Sequence, residues 1–211
     1  MTQVKICGIK EAQALEAAVS GGARFVGFVF YPRSPRFIEK DSARELALRI
    51  PAGVRSVGLF VDPDDALLED VLGVVGVDMV QLHGAETPER VAVIKERFGL
   101  QVMKALPVSS ADDIQIAAQY EGVADWLLFD AKAPEGAVPG GTGTSFDWGL
   151  LQGKSFGLPW MLSGGLTAEN VGEALAALSP SAVDVSSGVE VSRGVKDPAK
   201  IRAFLAAVKA L

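Results

Sequence analysis

The stretch Val4-Lys5-Ile6-Cys7-Gly8-Ile9-Lys10 decides the fold. Its first four residues read as a short strand, with Val4 and Ile6 on one face and Lys5 and Cys7 on the other. A strand covered on both faces in an open parallel sheet usually reads as a continuous apolar run. A lysine and a cysteine sharing one face instead suit a strand whose inner side lines a closed barrel with a polar mouth. An open dinucleotide-binding sheet would usually carry G-x-G-x-x-G after its first strand, and Cys7-Gly8-Ile9-Lys10 does not supply it.

The same alternation recurs down the chain. Apolar runs begin near Val4, Arg24, Arg55, Asp78, Gln101, Asp125, Leu158 and Ala182, roughly one strand-loop-helix-loop unit of about 20 to 35 residues apart. Val80 and Leu82 oppose Gln81 and His83, Leu127 and Phe129 oppose Leu128 and Asp130, and Val183 and Val185 oppose Asp184 and Ser186. Between the runs lie helix signals. Asp197-Pro198 is a cap followed by a first-turn proline, ahead of an apolar face at Ile201, Phe204, Leu205 and Val208. Thr167 caps a face at Val171, Ala174, Leu175 and Leu178, Thr87-Pro88 precedes Val91, Ile94 and Phe98, and Ser110 precedes Ile114, Ala117 and Ala118. Gly22, Gly76 and Gly122 are placed as helix-ending glycines. After Asp130 only Phe146 to Leu151 is available for a helix. Eight such units with no linker-like break predict one α/β domain over 1–211, a single (β/α)8 TIM barrel with its active site at the C-terminal ends of the strands.

Composition narrows the function classes. Hydrophobic residues make up 49% and charged residues 22%, the balance of a globular chain rather than a disordered one. The net charge of −6 offers no basic field for nucleic acid, while a small anion feels only the local groups of its cleft. One cysteine excludes an intrachain disulfide and suits a reducing cytoplasm. The sequence has neither an apolar run of about 20 residues nor an export signal at its start, so no membrane association is expected.

Several residues carry candidate chemistry. Cys7 reads either as a small buried hydrophobe or as a base or nucleophile, with Lys5 two residues away favouring its thiolate. Asp130, at the end of Trp126-Leu127-Leu128-Phe129, reads as a loop-anchoring carboxylate or as a general acid in apolar surroundings. Ser163-Gly164-Gly165-Leu166 and Ser186-Ser187-Gly188-Val189 follow the last two strands; they are two ordinary turns or, together, the backbone cradle for a phosphate. Arg36 is an exposed loop arginine or a fork for a carboxylate, held in a loop stiffened by Pro32 and Pro35. His83 is the sole histidine, so it reads as a substrate contact or a satisfied structural residue rather than a metal ligand. The glycine-rich loop Ala131–Ser145, with Gly136, Gly140, Gly141 and Gly143, lacks G-K-[ST] and is a connector or a lid.

Together these pieces resemble the phosphoribosylanthranilate isomerase family. The resemblance rests on Val4-Lys5-Ile6-Cys7-Gly8-Ile9, Phe30-Tyr31-Pro32-Arg33-Ser34-Pro35-Arg36, Val80-Gln81-Leu82-His83-Gly84 and Leu128-Phe129-Asp130. It continues through Gly140-Gly141-Thr142-Gly143, Phe146-Asp147-Trp148, Leu162-Ser163-Gly164-Gly165-Leu166 and Val183-Asp184-Val185-Ser186-Ser187-Gly188-Val189-Glu190. It implies an Amadori rearrangement of N-(5-phospho-β-D-ribosyl)anthranilate in tryptophan biosynthesis, with Cys7 as general base and Asp130 as general acid. The glycine loops (Gly164, Gly165, Ser187, Gly188) then suit the phosphate, Arg36 the anthranilate carboxylate, Asp184 a ribose hydroxyl, and His83 the pocket wall. No cofactor or metal is expected. The expected partner is a small anionic phosphosugar, with monomer and homodimer both open. Two rivals remain: a Schiff-base aldolase using Lys5 or Lys104, and a non-catalytic binder of phosphorylated metabolites.

Overall fold

The computed structural model describes residues 2–133, 140, 141, 143 and 145–211. Gly136 and most of the proposed lid lie outside the described residues. Eight parallel strands close on themselves: β1 (Gln3–Cys7), β2 (Phe25–Val29), β3 (Arg55–Phe60), β4 (Met79–Leu82), β5 (Gln101–Val108), β6 (Trp126–Ala131), β7 (Trp160–Leu162) and β8 (Ala182–Val185). Closure is made by β1 and β8, which pair from Gln3↔Ala182 to Ile6↔Val185. The connections carry α1 (Ala12–Gly21), α2 (Lys40–Ala47), α3 (Asp65–Val75), α4 (Pro88–Phe98), α5 (Ala111–Gln115) and α6 (Val171–Ala177). A short hairpin, β9 (Glu190–Ser192) with β10 (Val195–Lys196), precedes the final helix α7 (Pro198–Lys209).

The alternation seen in the strands separates two apolar clusters. Val4, Ile6, Val80, Leu82, Leu127, Phe129, Val183 and Val185 face outward and pack with helix residues such as Leu68, Ile94, Val171 and Phe204. Phe25, Val57, Met79, Met103, Leu128 and Met161 fill the barrel's interior. Nearer the mouth this filling gives way to Cys7, Val29 and Leu59. Side chains from successive strands thus plug the lower barrel and leave its upper end for polar groups.

The helix boundaries show which local signals act. Asp197 accepts from the N–H groups of Ala199 and Lys200, and Thr87 accepts from Arg90. In both, proline follows where its missing N–H leaves no hydrogen bond unmade. Gly22 and Gly76 end α1 and α3 in the left-handed conformation, at φ 93° and 67°. Gly122 does not; it lies in a turn outside that region, and Gly99 performs the role after α4 instead. α6 starts at Val171 with Asn170 at its cap position, because Asn170 Oδ1 takes the Thr167 N–H and tightens the entry into a turn. α5 tightens into a 3-10 turn, Ile116–Gln119. Its buried residues are therefore Ile114, Ala117 and Tyr120, three apart, and Ala118 is exposed rather than packed. The helix expected near Phe146–Leu151 is a single 3-10 turn, Trp148–Leu151.

Candidate active site

The upper end of the barrel holds an open cleft bordered by Cys7, Arg36, His83, Asp130, Gly164, Gly165, Asp184 and Ser187 among others. Cys7 and Asp130 reach it from opposite parts of the strand order because both point inward at their strands' C-terminal ends.

Cys7 sits among charges. Lys5 Nζ lies 2.9 Å from Asp184 Oδ1, and both are buried. Ser163 donates to the other oxygen of Asp184 at 3.3 Å. Asp184 therefore borders the cleft while already accepting from two protein donors. Burial pushes the Cys7 thiol up, and this outweighs the pull of the Lys5 and Lys196 ammonium groups, with Asp184 adding to the rise. The expectation that Lys5 lowers Cys7 is corrected accordingly: Lys5 acts in that direction, but desolvation wins. Lys5 itself is pushed down by burial and up by Asp184, and ends above its usual range. It is held as an ammonium, the wrong form for Schiff-base chemistry. Lys104 is no better placed. It pairs across the sheet with Leu82 and Leu127 of the outward cluster, and its ammonium binds Glu86 at 2.7 Å outside the barrel's interior.

Arg36 is 4% exposed, so it is not a loose loop arginine. Its guanidinium grips Glu190 through Nε at 2.7 Å and Nη2 at 3.0 Å, and Nη2 also donates to the Gly141 carbonyl at 3.0 Å. Glu190 takes further hydrogen bonds from Lys196 Nζ at 2.8 Å and from the Gly194 N–H. Burial raises the Glu190 carboxyl, but the Arg36 hydrogen bonds and the Lys196 charge bring it down to about 2. Lys196 also donates to Ser186, whose hydroxyl bonds the Cys7 carbonyl at 3.2 Å. Of the charges acting on the sulfur, Lys5 and Lys196 are positive and Asp184 is negative, which leaves one positive charge in excess.

Asp130 Oδ1 accepts the Ala131 N–H at 2.9 Å, and Oδ2 lies 3.3 Å from His83 Nε2. His83 thus contacts the carboxyl group directly as well as lining the cleft. Gly164 and Gly165 border the cleft at φ 91° and 64°, a left-handed pair that side chains disfavour. Gly188 is not among the residues bordering it. A Cβ there would lie 2.0 Å from the Leu166 carbonyl oxygen, so Gly188 allows the loops after β7 and β8 to touch backbone to backbone. Gly188→Ala should push these loops apart and raise the KM for a phosphorylated substrate about tenfold or more. An unchanged KM, with inorganic phosphate inhibiting as in the wild type, would show that the contact is dispensable. Among the described residues no cluster of three or more His, Cys, Asp or Glu is arranged to hold a metal ion.

A family model described as N-(5'phosphoribosyl)anthranilate (PRA) isomerase matches residues 4–207. The chain belongs to the phosphoribosylanthranilate isomerase family. An N-(5'-phosphoribosyl)anthranilate isomerase from Rhodospirillum centenum is 60% identical over 211 residues, covering 99% of each chain. A solved phosphoribosyl anthranilate isomerase, in complex with reduced 1-(o-carboxyphenylamino)-1-deoxyribulose 5-phosphate, matches at TM-score 0.87 and 38% identity over 100% of both chains. Structures of monomers generated from the dimeric isomerase of Thermotoga maritima match at TM-score 0.87 and 39% identity, again over 100% of both chains.

Sequence reasoning missed Lys196 and the structural use of Glu190. They lie six residues apart across a hairpin tip, beyond the eighth strand where barrel periodicity gives no guidance. Arg193-Gly194 is the one local hint of that turn.

Proposed function

We propose that Cys7 and Asp130 carry out the isomerisation of N-(5'-phosphoribosyl)anthranilate, the activity of this family, as general base and general acid. The observation that carries the assignment is that the sulfur and the carboxyl group border one cleft, whose walls also include two glycine-bearing loops and a buried arginine. Asp130 gives its proton to the ring oxygen as the C1–O bond breaks, and the nitrogen lone pair forms the iminium. That cation acidifies C2–H. The Cys7 thiolate takes this proton, and the freed pair forms the C1=C2 bond of an enolamine. Return of a proton to C1 and loss of the C2 hydroxyl proton give the amino ketone, so the overall change is an isomerisation.

Gly164, Gly165 and Ser187 suit the phosphate, with Gly188 holding their loops together. Arg36 suits the anthranilate carboxylate: Glu190 fixes its fork from behind, and the guanidinium still borders the cleft. Asp184 serves the sugar end while holding Lys5, and His83 serves Asp130. The reading covers residues 1–211 as one barrel domain, acting as a monomer or homodimer on a small phosphosugar. It places the chain in the cytoplasm, where a thiol base stays reduced.

Fluorescence-monitored turnover of freshly generated phosphoribosylanthranilate tests the whole reading: the anthranilate signal should change with enzyme-dependent kinetics, and its failure to do so would sink the assignment. The base assignment has its own check. Cys7 is the only cysteine, so its thiolate absorbance is the difference between the wild type and Cys7→Ser. That absorbance should rise only above the ordinary thiol value of 9.0, because burial favours the neutral form. Replacing Lys5 by Met should move the rise to still higher pH. A fully formed thiolate at neutral pH would contradict this electrostatic balance.

A further inference from the structure

Gln81 is fully buried on the inner face of β4, level with Leu59 and Met103, directly below the cleft. Its carboxamide makes one hydrogen bond, between Nε2 and His83 Nδ1 at 2.9 Å. Its other end, Oε1, has no partner among the described residues. The donor end of this buried amide is thus the end turned toward the imidazole. The imidazole is placed just as narrowly. Its backbone N–H is tied to the Phe60 carbonyl at 2.8 Å, its Nδ1 meets Gln81, and its Nε2 meets Asp130 Oδ2 at 3.3 Å.

A neutral imidazole carries one N–H, and the two choices have opposite consequences for the carboxyl group. With hydrogen on Nδ1, the bare Nε2 faces Oδ2. A carboxylate there is repelled, and a carboxylic acid turns its O–H toward the imidazole and away from a substrate. With hydrogen on Nε2, Oδ2 accepts it in either protonation state, since the carbonyl oxygen of the acid accepts as the carboxylate does. The transferable proton is then left to Oδ1, which meanwhile accepts the Ala131 N–H. A donor at Nδ1 selects this second arrangement, and the Gln81 Nε2 lies 2.9 Å from that atom.

We infer that Gln81 is a positioning residue for the acid: by donating to His83 Nδ1 it holds the hydrogen on Nε2, and so keeps the Asp130 proton free for the substrate. The inference rests on the reading of Asp130 as the acid. It assigns His83 to the carboxyl group before it assigns it to any ligand.

The test uses the fact that His83 is the only histidine. Labelling with 15N-histidine gives one imidazole, whose two nitrogen shifts report which carries hydrogen. At about pH 8.5, above the ordinary histidine range, the wild type should show a protonated Nε2 and a bare Nδ1. Gln81→Glu offers only acceptors and should move the hydrogen to Nδ1, and Gln81→Met should give a mixture. Both should lower kcat about tenfold or more while leaving KM within about twofold, the pattern of a group felt only in the transition state. A wild-type spectrum with hydrogen on Nδ1 would overturn the inference without any variant. So would a Gln81→Glu enzyme whose hydrogen moves while kcat stays unchanged. Near-normal turnover by Asp130→Asn would instead remove the acid assignment and leave the tautomer result standing, so the two failures are distinguishable.

Discussion

Cys7→Ala should lose kcat by a factor of about 100 to 10,000, the range for removing a group that moves a proton in the transition state. Affinity for the amino-ketone product should stay within about tenfold, or roughly 1.4 kcal/mol. The separation follows from where the sulfur sits. It lies above the filled interior with Val29 and Leu59 as apolar neighbours, and Gly27 on the adjacent strand makes room for it. A Cβ at Gly27 would lie 3.1 Å from that sulfur. Truncating Cys7 removes one atom from this space and leaves untouched Arg36 and the glycine loops, the partners proposed above for the substrate's two anionic ends. Asp130→Asn should show the same split, since the amide keeps the shape and lacks the proton. Near-normal turnover in the alanine variant would eliminate the base assignment.

Glu190→Gln is expected to be the most damaging single change to stability, at about 3 to 5 kcal/mol in urea unfolding. Glu190 is 7% exposed and is gripped by Arg36 and Lys196, themselves 4% and 6% exposed. Neutralising the carboxylate leaves two cations facing each other without their shared counter-charge. The same geometry gives a pH dependence with a definite sign. The folded Glu190 carboxyl lies at about 2, against an ordinary 4.5, so its stabilisation is complete above the higher value and disappears as pH falls toward the lower. The total is about 3 kcal/mol. The stability difference between wild type and Glu190→Gln should therefore shrink across that acidic window. A constant difference from neutral pH down to 2 would show that the ion cluster is not its source.

The barrel was legible because its strands alternate. Lys5 and Cys7, Gln81 and His83, and Asp184 and Ser186 declare an inner polar face that no continuous apolar run could encode. Cys7, Asp130, Arg36 and His83 could be singled out because each follows such a run or sits in a proline-stiffened loop. What could not be read was the partnership among them. Arg36 and Glu190 are 154 residues apart and Lys5 and Asp184 are 179 apart, and separations of that length leave no periodic trace. The balance at Cys7 was equally hidden. Sequence shows that a lysine is near, but only burial shows that desolvation outweighs it. The missed geometry of α5 has a different origin. Ile114, Ala117 and Ala118 fit an α-helical stripe, and the tighter 3-10 winding replaces the third of these with Tyr120.

The seam between β1 and β8 bears on how the enzyme is made. Cys7 ends the first strand of the barrel, whereas Asp184, Ser186 and Lys196, which surround it, come after the seventh. A chain carrying only the first seven strands has the sulfur and Lys5 but lacks Asp184, Ser186 and Lys196. The surroundings of the sulfur are therefore complete only once β8 has paired with β1, the step that also closes the barrel.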